Sequence, residues 1–343
     1  MVTGAAGFIG GRIVAQLREM GIETVAVDAM IAEAHGADAS TPSDVIRADV
    51  TDVDSIAEHL DGVDVVCHQA AMVGMGVTLS DAPLYARHND LGTAALLAAM
   101  HRVGCRRLVL ASSMVVYGSG RLRTEDGQPV ESPPARDPDR TRLGDFEYHT
   151  ADGRSISWEL TDEDAPLRPT SLYAASKVAQ EHYARAWSVA TGGSVVALRY
   201  HNVYGPGMPR DTPYAGVASI FRSRLASGRA PLVFEDGGQM RDFVHVDDVA
   251  AANLAAIDSH TAGFSALNVC SGRPITIGEV AEILARQIDG PAPVITGELR
   301  PGDIRHIVAD PARARDVLGF TAQVSPEDGL AEFATAPLRA AAR

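Results

Sequence analysis

Tyr173 and Lys177 stand four residues apart in the run Tyr-Ala-Ala-Ser-Lys. On a helix that spacing is about one turn, so both side chains share a face. An ammonium beside a phenol favours the phenolate and lowers a tyrosine pKa from its ordinary value of about 10. Such a pair is a base for an alcohol proton near neutral pH. Tyr-x-x-x-Lys also arises by chance on surface helices. Here the lysine itself is informative: of 30 Lys and Arg residues, Lys177 is the sole lysine. Arginine serves as the ordinary cation, so the one ammonium belongs where a flat guanidinium does not fit.

A second group of residues opens the chain. MVTGAAGFIG places Gly4, Gly7 and Gly10 three apart. Such glycines permit a tight turn, close approach of backbone to a pyrophosphate, and close packing of the following helix. The amides at that helix's start face the phosphates. Asp28 lies 18 residues after Gly10, at the end of the next apolar run. A carboxylate there accepts hydrogen bonds from an adenosine ribose and repels a 2′-phosphate; a plain turn residue is the alternative.

These residues need elements to hold them. The pattern predicts a helix over about 10–20, strands at 23–27, 63–71, 107–112 and 195–200, a short strand and turn over 45–52, and helices over about 83–103 and 173–190. Alternating strands and helices indicate a doubly wound parallel sheet. Only Met1–Thr3 precede the glycine loop, fewer than the roughly five residues of a normal strand, so the strand is expected to begin upstream of this numbering. Small residues end the fourth run at Ala70 and Ala71, where His68 reads as structural rather than catalytic. Residues 119–168 are rich in Pro, Asp, Arg and Gly without long periodicity. They read as a surface excursion or lid on the substrate side, whose middle, about 136–152, should be removable without unfolding. The Ala-rich tail after Ala334 is expected to fray.

Length and composition bound the rest. With 343 residues the chain accommodates a large α/β domain and a smaller one. A net charge of −14 argues against nucleic acid as a partner. Cys67, Cys105 and Cys270 are far apart and odd in number, which suggests a reducing compartment and neither a disulfide framework nor a metal site. No apolar run has membrane-spanning length, and the expected location is the cytoplasm.

Taken in order, TGAAGFIG, HQAA, SSMVVYG, YAASK, RYHNVYGPG, RDFVHVDDVA and RPGDIRHIVAD resemble the extended short-chain dehydrogenases/reductases, in their nucleotide-sugar epimerase/dehydratase family. The resemblance covers nearly the whole chain. It implies a Rossmann-type doubly wound parallel sheet with a smaller C-terminal α/β substrate domain. The NAD-binding domain would take 1–201, with the excursion 119–168 and a returning segment 242–268. The nucleotide-sugar domain would take 202–241 and 269–343. It implies that Gly4, Gly7, Phe8, Ile9 and Gly10 hold the NAD pyrophosphate, and that Asp28 holds the adenosine ribose. Asp49 and Val50 would flank the adenine, and Ala70 would lie along the cofactor. Ser113 would bond the reacting hydroxyl, Tyr173 would be the acid/base, and Lys177 would hold the nicotinamide ribose. Asn202, Arg241 and Arg300 would bind the sugar and its diphosphate. An ion pair from Arg241 to Asp242 or Asp247 is the alternative for that arginine. Two departures stand out: His201 replaces an aromatic residue, and Ala48 a frequent glycine.

Ser113 precedes Tyr173 by 60 residues, a longer gap than the family's usual one, resembling an excursion in some dTDP-hexose 4-epimerases. Family dehydratases carry an Asp-Glu pair just after the serine; here Met114 and Val115 stand there. The reading is therefore an NAD-dependent 4-epimerase of a UDP- or dTDP-hexose, acting as a homodimer. A 4-keto-sugar reductase using NAD(P)H, or a non-catalytic dinucleotide-binding protein, are the alternatives.

Overall fold

The structure is a computed structural model that describes every residue except 37, 75–77, 211–215, 300–302 and 340–343. Its centre is a seven-stranded sheet, parallel throughout. The N-terminal half supplies β1 (Val2–Thr3), β2 (Ala26–Asp28), β3 (Ile46–Arg47), β4 (Val66–His68) and β5 (Arg107–Ser113). The strands Ser194–Tyr200 and Phe264–Val269 extend the sheet beyond β5, and β3 forms the opposite edge. The chain order reverses between β1 and β4. In a doubly wound sheet that reversal opens a crevice at the carboxyl ends of the strands.

Both faces are covered, as a parallel sheet requires. Ile13, Val14 and Leu17 of α1 (Phe8–Glu19) pack with Val249, Ala252 and Ala256 on one face. Ile56, Leu60, Leu96, Met100 and Trp187 fill the other. A separate core gathers Tyr204, Phe221, Phe243, Ile275, Leu284, Leu330 and Phe333.

Residues 119–168 are not irregular. They contain a four-stranded antiparallel sheet in the order Pro129–Val130, Arg121–Thr124, Ser155–Glu159, Tyr148–His149. Leu122, Tyr148 and Ile156 form its small core. Two similar turns shape it. In each, a threonine hydroxyl meets an aspartate two residues on and a backbone amide four residues on: Thr124 with Asp126 and Gln128, Thr150 with Asp152 and Arg154. The glycine of each Asp-Gly, Gly127 and Gly153, has positive φ, the conformation glycine adopts freely.

This small sheet is fastened to the later part of the chain. Arg136 pairs with Glu235 at 2.5 Å, and Glu147 pairs with Arg305 at 2.6 Å and His306 at 2.8 Å. Arg305 and Glu235 are buried, at 1% exposure each, and lie 2.8 Å apart. Residues 136–152 thus supply partners to buried charges, which argues against a removable middle. Of the tail expected to fray, 340–343 lie outside the described residues, while the part before them is held. Gly207 N donates to Pro337 O, Arg339 N to Met208 O, and Arg210 N to Arg339 O, so 337–339 is annealed to the main body.

Candidate active site

β1 ends at Thr3 and the chain turns at Gly4, with φ +66°. A Cβ on Gly4 would lie 2.7 Å from Ala70 N, and one on Gly10 would lie 2.1 Å from Gly4 O. No larger residue fits either place. Helix α1 begins at Phe8 with Gly7 as its N-cap and no side-chain cap. Its first amides are thereby left for a ligand oxygen.

Beneath the loop, Thr3 Oγ1 meets His68 Nδ1 at 2.8 Å, and His68 Nε2 meets Thr93 Oγ1 at 3.2 Å. Ala70 N donates to the same Thr3 hydroxyl. Burial, and then the nearby Lys177 charge, push His68 down to about 3. It is a neutral brace in the core, as its sequence setting suggested.

A cavity of about 390 Å³ opens above these elements, within the range of cofactor sites. Gly4, Gly7, Phe8, Ile9, Gly10, Asp28, Asp49, Val50, Ala70, Tyr173, Lys177 and Asn202 all line it. Asp28 Oδ2 accepts from Ala6 N at 3.0 Å. Its Oδ1 accepts from Met30 N at 2.8 Å and meets His35 Nε2 at 3.1 Å. Burial opposes ionisation of Asp28, but His35 and the two amides outweigh it, and the carboxyl stays below its usual range. The carboxylate is fixed at the end of β2, facing the crevice.

The other end of the cavity holds Tyr173 and Lys177. Ser171 caps helix Leu172–Thr191 by accepting from Ala174 N, and Gly192 closes it in a left-handed turn. Its buried face includes Ala174, Lys177, Glu181, Ala184 and Ser188, spaced at three and four residues. The Lys177 Nζ donates to Ala111 O at 2.8 Å and lies 5.9 Å from the Tyr173 ring centroid. Burial pushes Lys177 down to about 7 and Tyr173 up to about 12. A hydrogen bond from Ser113 is what opposes the rise at Tyr173. The expected lowering of Tyr173 by Lys177 is therefore not present: the ammonium turns to a strand carbonyl, and desolvation of the phenol dominates.

The remaining expected residues divide. Asn202 Oδ1 is buried without a partner among the described residues. Arg241 is not among the residues lining this cavity. Its Nη1 donates to Met240 O and Arg305 O, and its Nη2 to Ile304 O. It pairs with neither aspartate considered for it: Asp242 accepts from Ser271 N and Gly272 N, and Asp247 pairs with Arg12. Arg300 lies outside the described residues.

Three features escaped the sequence. His35 holds Asp28. Glu181 accepts from Ser112 Oγ at 2.5 Å and from Arg199 at 2.7 Å, fixing the end of β5 beside Ser113. Arg339, from the far end of the chain, lines the cavity. The i, i+4 spacing of Lys177 and Glu181 on a buried helix face was the available signal for the second. The others are contacts between distant or irregular segments.

Comparison with known proteins bears on this geometry. The model of the NAD dependent epimerase/dehydratase family matches residues 1–140 and 150–270. The chain belongs to that family. As a member it takes NAD, and the glycine cradle, uncapped α1 amides and Asp28 fit that group. The chain is 35% identical to a dTDP-L-rhamnose 4-epimerase of Burkholderia thailandensis, over 98% of this chain and 93% of the relative. It is 32% identical to a UDP-glucose 4-epimerase of Mycolicibacterium smegmatis, over 97% and 96%. A solved UDP-glucose 4-epimerase of Thermus thermophilus, in complex with NAD, matches with TM-score 0.75 and 30% identity, over 97% and 96%. Among the described residues no helix is long and apolar enough to cross a membrane.

Proposed function

We propose that the chain interconverts C4 epimers of a UDP- or dTDP-hexose through a transient 4-keto sugar. The observation that carries this is where the carboxylates lie. Among the described residues, those lining the cavity are Asp28, Glu33 and Asp49. Asp28 ends β2, Glu33 follows it and Asp49 follows β3, all on the far side of β1 from Tyr173. Met114 and Val115, which follow Ser113, transfer no protons. Loss of water across C5–C6 needs one group to take the C5 proton and another to protonate the leaving hydroxyl. Epimerisation needs only the tyrosine, its serine and lysine, and the cofactor.

In this reading Ser113 holds the C4 hydroxyl, Tyr173 takes its proton and later returns it, and Lys177 holds the nicotinamide ribose. NAD, when bound, supplies the hydride acceptor and donor, and its oxidised ring brings positive charge that favours the phenolate. Asn202, Arg241 and Arg300 would bind the sugar and its diphosphate, with forked guanidinium groups suited to phosphate. The division at 201, with 242–268 returning to the sheet, would set the sugar between the NAD-binding part and the second core. Exposed Leu91, Val103, Tyr183 and Val189 support a homodimer through the helices near 83–103 and 173–190, and three free, buried cysteines support the cytoplasm.

The test is incubation with a panel of dTDP- and UDP-hexoses, beginning with dTDP-L-rhamnose and UDP-glucose, without added NADH. Product analysis by NMR should show the C4 epimer, and reduced nicotinamide should not accumulate. A 4-keto-6-deoxy product, or stoichiometric use of NADH, overturns the proposal.

A further inference from the structure

Residues 337–339 bring one more charge to the cofactor cavity. Pro209 and Arg339 form a parallel bridge, and Arg339 exchanges backbone hydrogen bonds with Met208 and Arg210 at 3.1 Å each. This pins the Arg339 backbone beside the loop that follows strand Asn202–Tyr204. Its side chain then crosses to the glycine loop, where Nη1 donates to Ala6 O at 2.8 Å. Among the described residues that is the guanidinium's one hydrogen bond, and no carboxylate forms an ion pair with it. The Asp28 charge acts on it from farther off.

Among the described residues Arg339 is the one arginine that lines the cavity. Lys177 is committed to Ala111 O beneath Tyr173, at the other end. Arg12, on the first turns of α1, is paired with Asp247. A dinucleotide pyrophosphate carries two negative charges. The uncapped amides of α1 offer partial charges only. A guanidinium offers a full charge and forked donors that match phosphate oxygens. Burial disfavours the lone Arg339 charge, and an anion beside it relieves that cost.

We propose that Arg339 binds the NAD pyrophosphate, and that 337–339 is a strap that retains the cofactor. The inference needs only the dinucleotide site and is independent of which sugar reacts. A strap of this kind suits a cofactor that is recycled rather than exchanged.

The experiment compares the full chain with its Arg339→Ala and Arg339→Lys variants, each stripped of cofactor. Calorimetry gives dissociation constants for NAD, ADP and adenosine. The alanine variant should lose roughly ten- to hundredfold in affinity for NAD and ADP, and retain adenosine binding. Lysine should restore part of the loss, and less NAD should co-purify with the alanine variant. Equal weakening of all three ligands would mean that Arg339 merely braces the glycine loop, and overturns the proposal. Unchanged NAD binding with a selective loss of NADP would assign the arginine to a 2′-phosphate, and overturns it too.

Discussion

The Lys177 ammonium donates to Ala111 O at 2.8 Å, at the end of β5, and not to the Tyr173 phenol four residues away. The lysine is thereby tied to a strand carbonyl, with burial opposing its charge. In the proposed mechanism, positive charge for the phenolate would then come from the bound cofactor, which would make proton transfer depend on a loaded site.

One titration tests that environment. Because Lys177 is the only lysine, isotope-labelled lysine yields a single side-chain signal. In the cofactor-free protein it should titrate near 7 rather than near its ordinary value of 10.5. The unfolded chain keeps this proton up to about 10.5. The burial penalty is therefore full below pH 7 and fades as pH rises, by about 1.4 kcal/mol per unit across that window. Titration above pH 10 would contradict the geometry.

His201 should be a liability to stability. It is 4% exposed, and neither ring nitrogen has a partner among the described residues. Burial, then the Arg241 charge, push it down to about 3. The unfolded chain takes up a proton near pH 6.5 and the folded chain does not. Stability is thus lost as pH falls from 6.5 toward 3, at about 1.4 kcal/mol per unit. His201→Phe should raise stability by about 1–3 kcal/mol at pH 8, and by more at pH 5. Urea unfolding at both values checks this; equal or lower stability of the variant at pH 5 would contradict it.

Glu235 should matter more than an exposed acid. It lies buried between Arg305 and Arg136, with φ +53°. Glu235→Gln leaves Arg136 facing a neutral amide, while Arg305 keeps Glu147 and Asp236, and should cost about 1–3 kcal/mol. Excision of 136–152, which removes Arg136 and Glu147, should lower the melting temperature as well. A native-like melting temperature in both would show that the small sheet is dispensable.

The glycine loop and the placing of Tyr173 and Lys177 were legible because local rules specify them. Gly4 and Gly10 have no room for a Cβ, and Tyr173 and Lys177 lie one helical turn apart. Asp28 was legible from its place at a strand end. The sheet within 119–168 was obscured by strands of two to five residues, too short for alternation to stand out. Its paired Thr-x-Asp-Gly turns were the readable sign. Arg339 and Ala6 are 333 residues apart, and Glu147 and Arg305 are 158 apart. No period or spacing encodes such contacts; only the folded topology brings them together.

Cofactor choice should follow Asp28. The carboxylate is held ionised by His35 and two amides, so a 2′-phosphate beside it meets like charge. NAD should bind at least about tenfold more tightly than NADP, and Asp28→Ser should narrow that gap. Fluorescence titration measures both constants, and comparable values in the unaltered protein would contradict this role.

The most direct test of the central proposal uses a nucleotide hexose carrying deuterium at C4, turned over in ordinary water. If Tyr173 and Ser113 are the proton-handling groups, as proposed, the C4 hydrogen leaves and returns without meeting solvent. NMR and mass spectrometry of the product should show the C4 epimer with its deuterium still at C4, and Tyr173→Phe should lower the rate by about 10²–10⁴ while NAD stays bound. Deuterium lost to water or moved to C6, or a Tyr173→Phe variant of near-normal rate, would contradict it.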